Sequence, residues 1–178
     1  MNINRTVGHQ LDPHGCRLPD GKILALYQDK IGNFSSLTPK ANSVGYWTLV
    51  DIRDPDDPIV VASNQISDST GARQTHFRAI CSPTHADWPN GLIVISWEQT
   101  ARLRRRVKKD IWAAMFDKDM NTIKSDFLVS DPNLGKHDNY NQHMSFSANQ
   151  DFVIFAWESS SESHDGGVTW QNELDFYF

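Results

Sequence analysis

The sequence predicts an all-β protein in which one four-stranded antiparallel unit recurs three times. First, three segments align: "HGCRLPDGKILALYQD" from His14, "HFRAICSPTHADWPNGLIVISWEQ" from His76 and "HMSFSANQDFVIFAWESS" from His143. Second, β-branched and aromatic runs separated by polar turns follow them at strand spacing. Third, no stretch sustains a 3.6-residue apolar period with helix caps.

Each aligned segment opens on histidine and turns at Pro19-Asp20-Gly21, Pro89-Asn90-Gly91 or Ala148-Asn149-Gln150. Each then closes with an apolar strand ending in an aromatic and a polar residue: Tyr27-Gln28, Trp97-Glu98 and Trp157-Glu158. The second copy is longer because "THADWPN" extends its hairpin. A second hairpin follows copy one, from Val44–Ile52 through "RDPDDP" to "IVVAS". In copy two the corresponding parts are "DIWAAMFD", "KDMN" and "IKSDFLVSD". Copy three has "VTWQNELDFYF" as a third strand and lacks a fourth. The strand-like piece at residues 2–7 occupies the place that a preceding fourth strand holds in the other copies.

Four antiparallel strands per repeat of this length describe a propeller blade. The units are blade 1 at about 14–64, blade 2 at about 76–131, and blade 3 at about 143–178 completed by the strand at 2–7. Propellers typically have 4–8 blades. The expectation is therefore a single half-propeller domain, closed into a six-bladed ring as a homodimer. The alternative is that the chain is a piece of a longer propeller.

The net charge of −5 argues against generic nucleic-acid binding. No apolar run approaches the roughly 20 residues of a membrane span, and "MNINRTVGHQ" lacks the apolar core of a secretory signal. The expectation is a soluble protein, cytoplasmic or released by a non-classical route. Cys16 and Cys81 form no disulfide framework, and two buried thiols are favoured over a single bridge.

"DPHGCRLPDGKILALYQD" resembles the BNR/sialidase-like propeller repeat, in which a His or Pro precedes a DG turn and an apolar strand. "DIWAAMFDKDMNTIKSDFLVSDP" is similar to the paired outer strands of such repeats. "SHDGGVTW", Ser163 to Trp170, fits the Asp-box pattern but falls after the second strand, with Trp170 aligned to Trp112, one strand early for that box. The resemblance implies sugar-directed functions: glycosidases, polysaccharide lyases and lectins. The family's arginine triad has no counterpart here, so no catalytic residues are carried over.

Binding in a propeller concentrates on the face where the second-to-third strand loops meet the starts of the first strands. Three features map there. His14, His76 and His143 recur at the start of each inner strand and would form an axial ring in the dimer, able to ligate a divalent metal or hold an anion. The structural alternative is that each histidine bonds a neighbouring blade's backbone. "RLRRRVKK" supplies Arg102, Arg104, Arg105 and Arg106, whose planar forks suit carboxylate, sulfate or phosphate. Its alternative is a solvated loop, with acidic groups on the other chain as its partners. "ESSSESHDGG" brings Glu158 and Asp165, either as paired carboxylates or as part of a flexible loop. Tyr27, Trp97 and Trp157 are read as packing residues. The leading functional expectation is a non-catalytic, lectin-like propeller binding glycan or anionic polymer on the His/Arg face. A structural assembly component comes next, as in a virion or secretion complex. A metal-assisted lyase or a sialidase-like hydrolase follows.

Overall fold

The computed structural model describes residues 9–31, 42–67, 73–82, 88–103, 106–130, 137–162 and 168–177. All regular structure among them is strand, so no helix is long and apolar enough to cross a membrane. Strands β1 (His9–Arg17), β2 (Lys22–Ile31), β3 (Asn42–Asp51) and β4 (Ile59–Gln65) form antiparallel sheet I in that order. Sheet II repeats the order with β5 (Arg73–Cys81), β6 (Ile93–Leu103), β7 (Arg106–Phe116) and β8 (Thr122–Leu128). Sheet III has β9 (His137–Phe146), β10 (Val153–Glu162) and β11 (Val168–Tyr177) among the described residues. The expected strand at residues 2–7 lies outside them.

Local chemistry sets the turns. Gly21 and Gly91 hold φ of 90° and 73°, the left-handed region that glycine enters without a Cβ penalty. Gly21 N–H donates to Leu18 O at 3.1 Å, and Gly91 N–H to Trp88 O at 2.8 Å. The β7–β8 turn is closed by Asp117, whose Oδ1 accepts the backbone N–H groups of Asp119 and Asn121, each at 2.9 Å.

The first strand of every sheet carries the same irregularity. Pairing shifts between Leu11 and His14, between Thr75 and Arg78, and opposite Ala156–Glu158 between Tyr140 and His143. At each shift one non-glycine residue is left-handed: Asp12 (φ 49°), His76 (φ 53°) and Asn141 (φ 51°). These are β-bulges, which bend a strand and re-aim its side chains. They also fix the true register of the repeat. His14 pairs with Leu26, Arg78 with Ser96 and His143 with Ala156, each one residue before Tyr27, Trp97 or Trp157. Structurally, Arg78 is therefore the equivalent of His14 and His143. His76 is the equivalent of Asp12 and Asn141.

Two apolar cores lie between the sheets. Leu24, Leu26, Trp47 and Leu49 of sheet I meet Phe77, Ile93, Ile95, Trp97, Ala114 and Phe116 of sheet II. From the other face of sheet II, Val94, Ile111, Ala113 and Met115 meet Val153, Phe155 and Trp157 of sheet III. Sheet II is thus buried on both sides, which is why β6 begins with the apolar run Ile93–Ile95 rather than an alternating one and buries Ser96 as fully as Trp97. Phe77 occupies the bulge of β5 and lies flush on Gly45 of β3, where a Cβ would overlap its ring.

Several sequence expectations are corrected. The first strands begin at His9, Arg73 and His137, so the repeated histidines sit within strands, at or just after the bulges, rather than at strand starts. Trp112 pairs with Trp97, but Trp157 pairs with Glu173 and Trp170 with Ser160. Glu173, not Trp170, therefore matches Trp112, because the β10–β11 hairpin has its own length. Cys16 and Cys81 are joined in a disulfide across β1 and β5, so the expectation of two free thiols is overturned. The sequence could not reveal this pairing, because the two residues are 65 apart and meet only when the first strands of sheets I and II pack side by side.

Candidate functional site

The three bulges lie at one end of the sheets, beside the β2–β3, β6–β7 and β10–β11 connections. Glu98 on β6 is the hub of this end. Its carboxylate is 1% exposed. Glu98 Oε1 accepts the Asn141 backbone N–H of sheet III at 3.0 Å, and Oε2 accepts the Thr75 hydroxyl at 3.4 Å. His76 Nδ1 lies 3.0 Å from Oε2, a close contact without the alignment of a hydrogen bond. Lys109 Nζ is 3.6 Å from the same oxygen and 4.4 Å from the centre of the Tyr140 ring. Asp12 reaches the other side of the His76 ring, at 4.0 Å from Nε2. A buried carboxylate needs such partners, because desolvation otherwise makes its charge untenable. The equivalents of Glu98 in the other sheets are the buried Gln28 and the half-buried Glu158. Asn141 Nδ2 donates to Glu158 Oε2 at 3.0 Å, so the bulge residue of sheet III ties both glutamates.

A second tier is formed by His14, Arg78 and His143 on β1, β5 and β9. His14 Nδ1 accepts the Ala79 backbone N–H at 3.1 Å, linking sheet I to sheet II. For this histidine the structural role, bonding to a neighbouring sheet's backbone, is what the geometry displays. Burial, then the Arg78 guanidinium, then His143, hold its pKa below the ordinary 6.5. Arg78 Nη1 donates to the Phe77 carbonyl at 3.0 Å. Among the described residues neither Arg78 nor the exposed His143 has a carboxylate in ion-pair reach. Gln142 of sheet III donates through Nε2 to the His76 carbonyl, the next link from sheet to sheet.

The pH consequence has a definite sign. A histidine whose folded pKa lies below its unfolded value binds fewer protons when folded. Its contribution to stability is complete above the unfolded value and is lost as pH falls below it toward the folded one. Thermal melts of wild type and His14→Gln between pH 7.5 and 5 should show the difference. Wild type should lose more stability on acidification, because glutamine keeps an acceptor for Ala79 N–H without titrating.

His14, His76 and His143 are brought to one end of the molecule but not into one tier. Among the described residues no three His, Cys, Asp or Glu side chains converge as a metal-ligand set, so the expected His ring has no such set there within one chain. The basic segment is mostly strand rather than loop: Arg102 pairs with Val107 and Leu103 with Arg106. Arg104 and Arg105 lie outside the described residues. Lys108 pairs with Asp110 at 3.0 Å and Lys109 meets Glu98, so these two lysines meet carboxylates of their own chain, where the expectation put the acidic partners on another chain. Glu158 is on β10, which continues to Glu162, so "ESSSESHDGG" is in its first half a strand. Asp165 lies outside the described residues. Arg78, Glu98 and Asn141 are not among the sequence-predicted site residues, whereas Lys109 closes the basic segment the sequence singles out. The signal available for Arg78 was its fixed distance from the Cys81 hairpin, not its distance from a histidine.

Compared with family models, curated proteins and solved structures, the chain has no match.

Proposed function

We propose that the chain is half of a β-propeller of BNR/sialidase-like type, closed by a second copy, and that its bulged end binds an anionic glycan or polymer without catalysis. Ring closure is supported by the repeat's face logic. Ile93, Ile95 and Trp97 of sheet II are fully buried against the preceding sheet. Their equivalents in sheet I, Ile23, Ala25 and Tyr27, are only half-buried, and among the described residues no sheet packs on that face. The opposite face of β10, at Ile154 and Ala156, is half-buried, and among the described residues no sheet packs on it. Sheet III of one copy against sheet I of another satisfies both faces, twice over in a closed dimer.

The observation that carries the binding reading is the His14–Arg78–His143 tier. It sets cationic or protonatable groups on the first strands of the three sheets, and among the described residues neither Arg78 nor His143 has a carboxylate in ion-pair reach. In the dimer the tier is doubled around the axis. Such an array suits carboxylate or sulfate groups repeated along a chain. Titration with sulfated and uronic acid oligosaccharides should give saturable binding at the mass of two chains. Arg78→Ala should weaken it about tenfold, the equivalent of one charge-assisted bond of roughly 1.4 kcal/mol. Absence of saturable binding to the wild type would overturn the reading.

One observation favours the assembly-component reading. Edge strand β4 exposes Ile59 (58%), Val60 (38%) and Val61 (50%) side by side. An apolar edge of this kind is an interaction surface. The same titration separates the two, since an assembly component needs no glycan affinity.

A further inference from the structure

The opposite end of the sheets carries a departure from the repeat. The tight hairpins there place Gly21, Gly91 and Gln150 at one equivalent position, and all three are left-handed, with φ of 90°, 73° and 62°. Two copies use glycine, which takes that conformation freely. The third forces a side chain into it, which costs backbone energy that glycine would avoid. Strain of this kind persists where the side chain is needed.

The Gln150 side chain crosses to the neighbouring hairpin, where its Oε1 accepts the Ser82 hydroxyl at 2.7 Å. It also lines a cleft of about 240 Å³ between sheets II and III, with Trp88, Met115, Lys124, Asp151 and Phe152. The cleft is distinct from the bulged end: Ser82 and His76 are six residues apart along an extended strand, roughly 20 Å.

We infer that this cleft is a separate small-molecule site that takes a single hexopyranose ring. The volume suits one ring. Trp88, Met115 and Phe152 offer apolar and aromatic wall against the ring's C–H face. The rim mixes a cation (Lys124, over the Phe127 ring), a carboxylate (Asp151, which also accepts the Asn149 amide) and an amide (Gln150). Vicinal hydroxyls both donate and accept, and a rim carrying donors and acceptors together matches them. A flat aromatic ligand leaves that rim unused.

The test uses the full chain and a panel of methyl glycosides of glucose, galactose and mannose, with the corresponding uronic acids, followed by saturation-transfer NMR. Wild type should bind at least one of them. Gln150→Gly should melt higher than wild type, as the strain is released, yet bind at least fivefold more weakly. Asp151→Asn, which keeps an oxygen able to accept the Asn149 amide, should weaken binding with little change in melting, and it carries the test if the glycine variant folds poorly. Arg78→Ala should leave this binding intact, so failure at the bulged end and failure here are told apart. Two results overturn the inference. One is no saturation transfer to wild type up to about 50 mM, well above a millimolar Kd. The other is a glycine variant that melts lower and binds as well as wild type, which reduces Gln150 to a staple between hairpins.

Discussion

Reduction of the Cys16–Cys81 bridge is expected to cost about 4 kcal/mol of stability, as estimated from the loop entropy of a 65-residue separation. For a domain of this length that corresponds to a fall of about 10 °C in Tm. The bridge joins the first strands of sheets I and II beside their packed faces, with Cys16 and Cys81 both against the same core. It therefore shortens the unfolded chain without stretching across solvent. Calorimetry with and without reductant, and on the Cys16→Ser/Cys81→Ser variant, reads the effect. Equal melting temperatures in both conditions would mean the bridge contributes nothing. Such a bond persists in an oxidising compartment and opens in a reducing one, so its state in cells also bears on where the protein works.

Trp97→Ala is expected to cost about 3–5 kcal/mol, the range for emptying a large aromatic site in a closed core. Trp97 is fully buried. It stacks on Phe77 with centroids 6.1 Å apart, and its Nε1 donates to Gln99 Oε1 at 3.2 Å. Phe77 is the bulge residue that lies on Gly45, so losing the indole loosens the contact between sheets I and II. Trp97→Phe should retain most of the stability, because the stack survives and only the indole bond is lost. Denaturant unfolding of both variants gives the comparison. A Trp97→Ala loss below about 1 kcal/mol would contradict the packing described for this core.

The strands were largely legible in the sequence. "VGYWTLVDI", "IVVAS" and "DIWAAMFD" alternate or run apolar at strand length, and the structure places β3, β4 and β7 there. The Pro-Asp-Gly and Pro-Asn-Gly turns were legible because glycine is the residue that a left-handed position demands. The site was less so. A β-bulge adds a residue to one strand and is silent in an apolar pattern, so aligning His14, His76 and His143 by identity put His76 two residues out of register. The matching position holds arginine, and nothing in residue type announces that Arg78 replaces a histidine. Glu98 read as a strand-end polar residue, because its partners come from β5, β7 and β9, which sequence spacing does not join. Tyr27, Trp97 and Trp157 were read as packing residues. Trp97 and Trp157 are buried between sheets, while Tyr27 stacks on Tyr46.

The burial of sheet II on both faces has a consequence for how the chain reaches its native state. During synthesis sheet I emerges first and offers one docking surface to β5–β8. The far side, with Val94, Ile111 and Met115, stays naked until β9 and β10 leave the ribosome. That interval is when the nascent polypeptide is most prone to self-association. A pause in the segment that follows Leu128 lengthens the time for which that apolar face is uncovered.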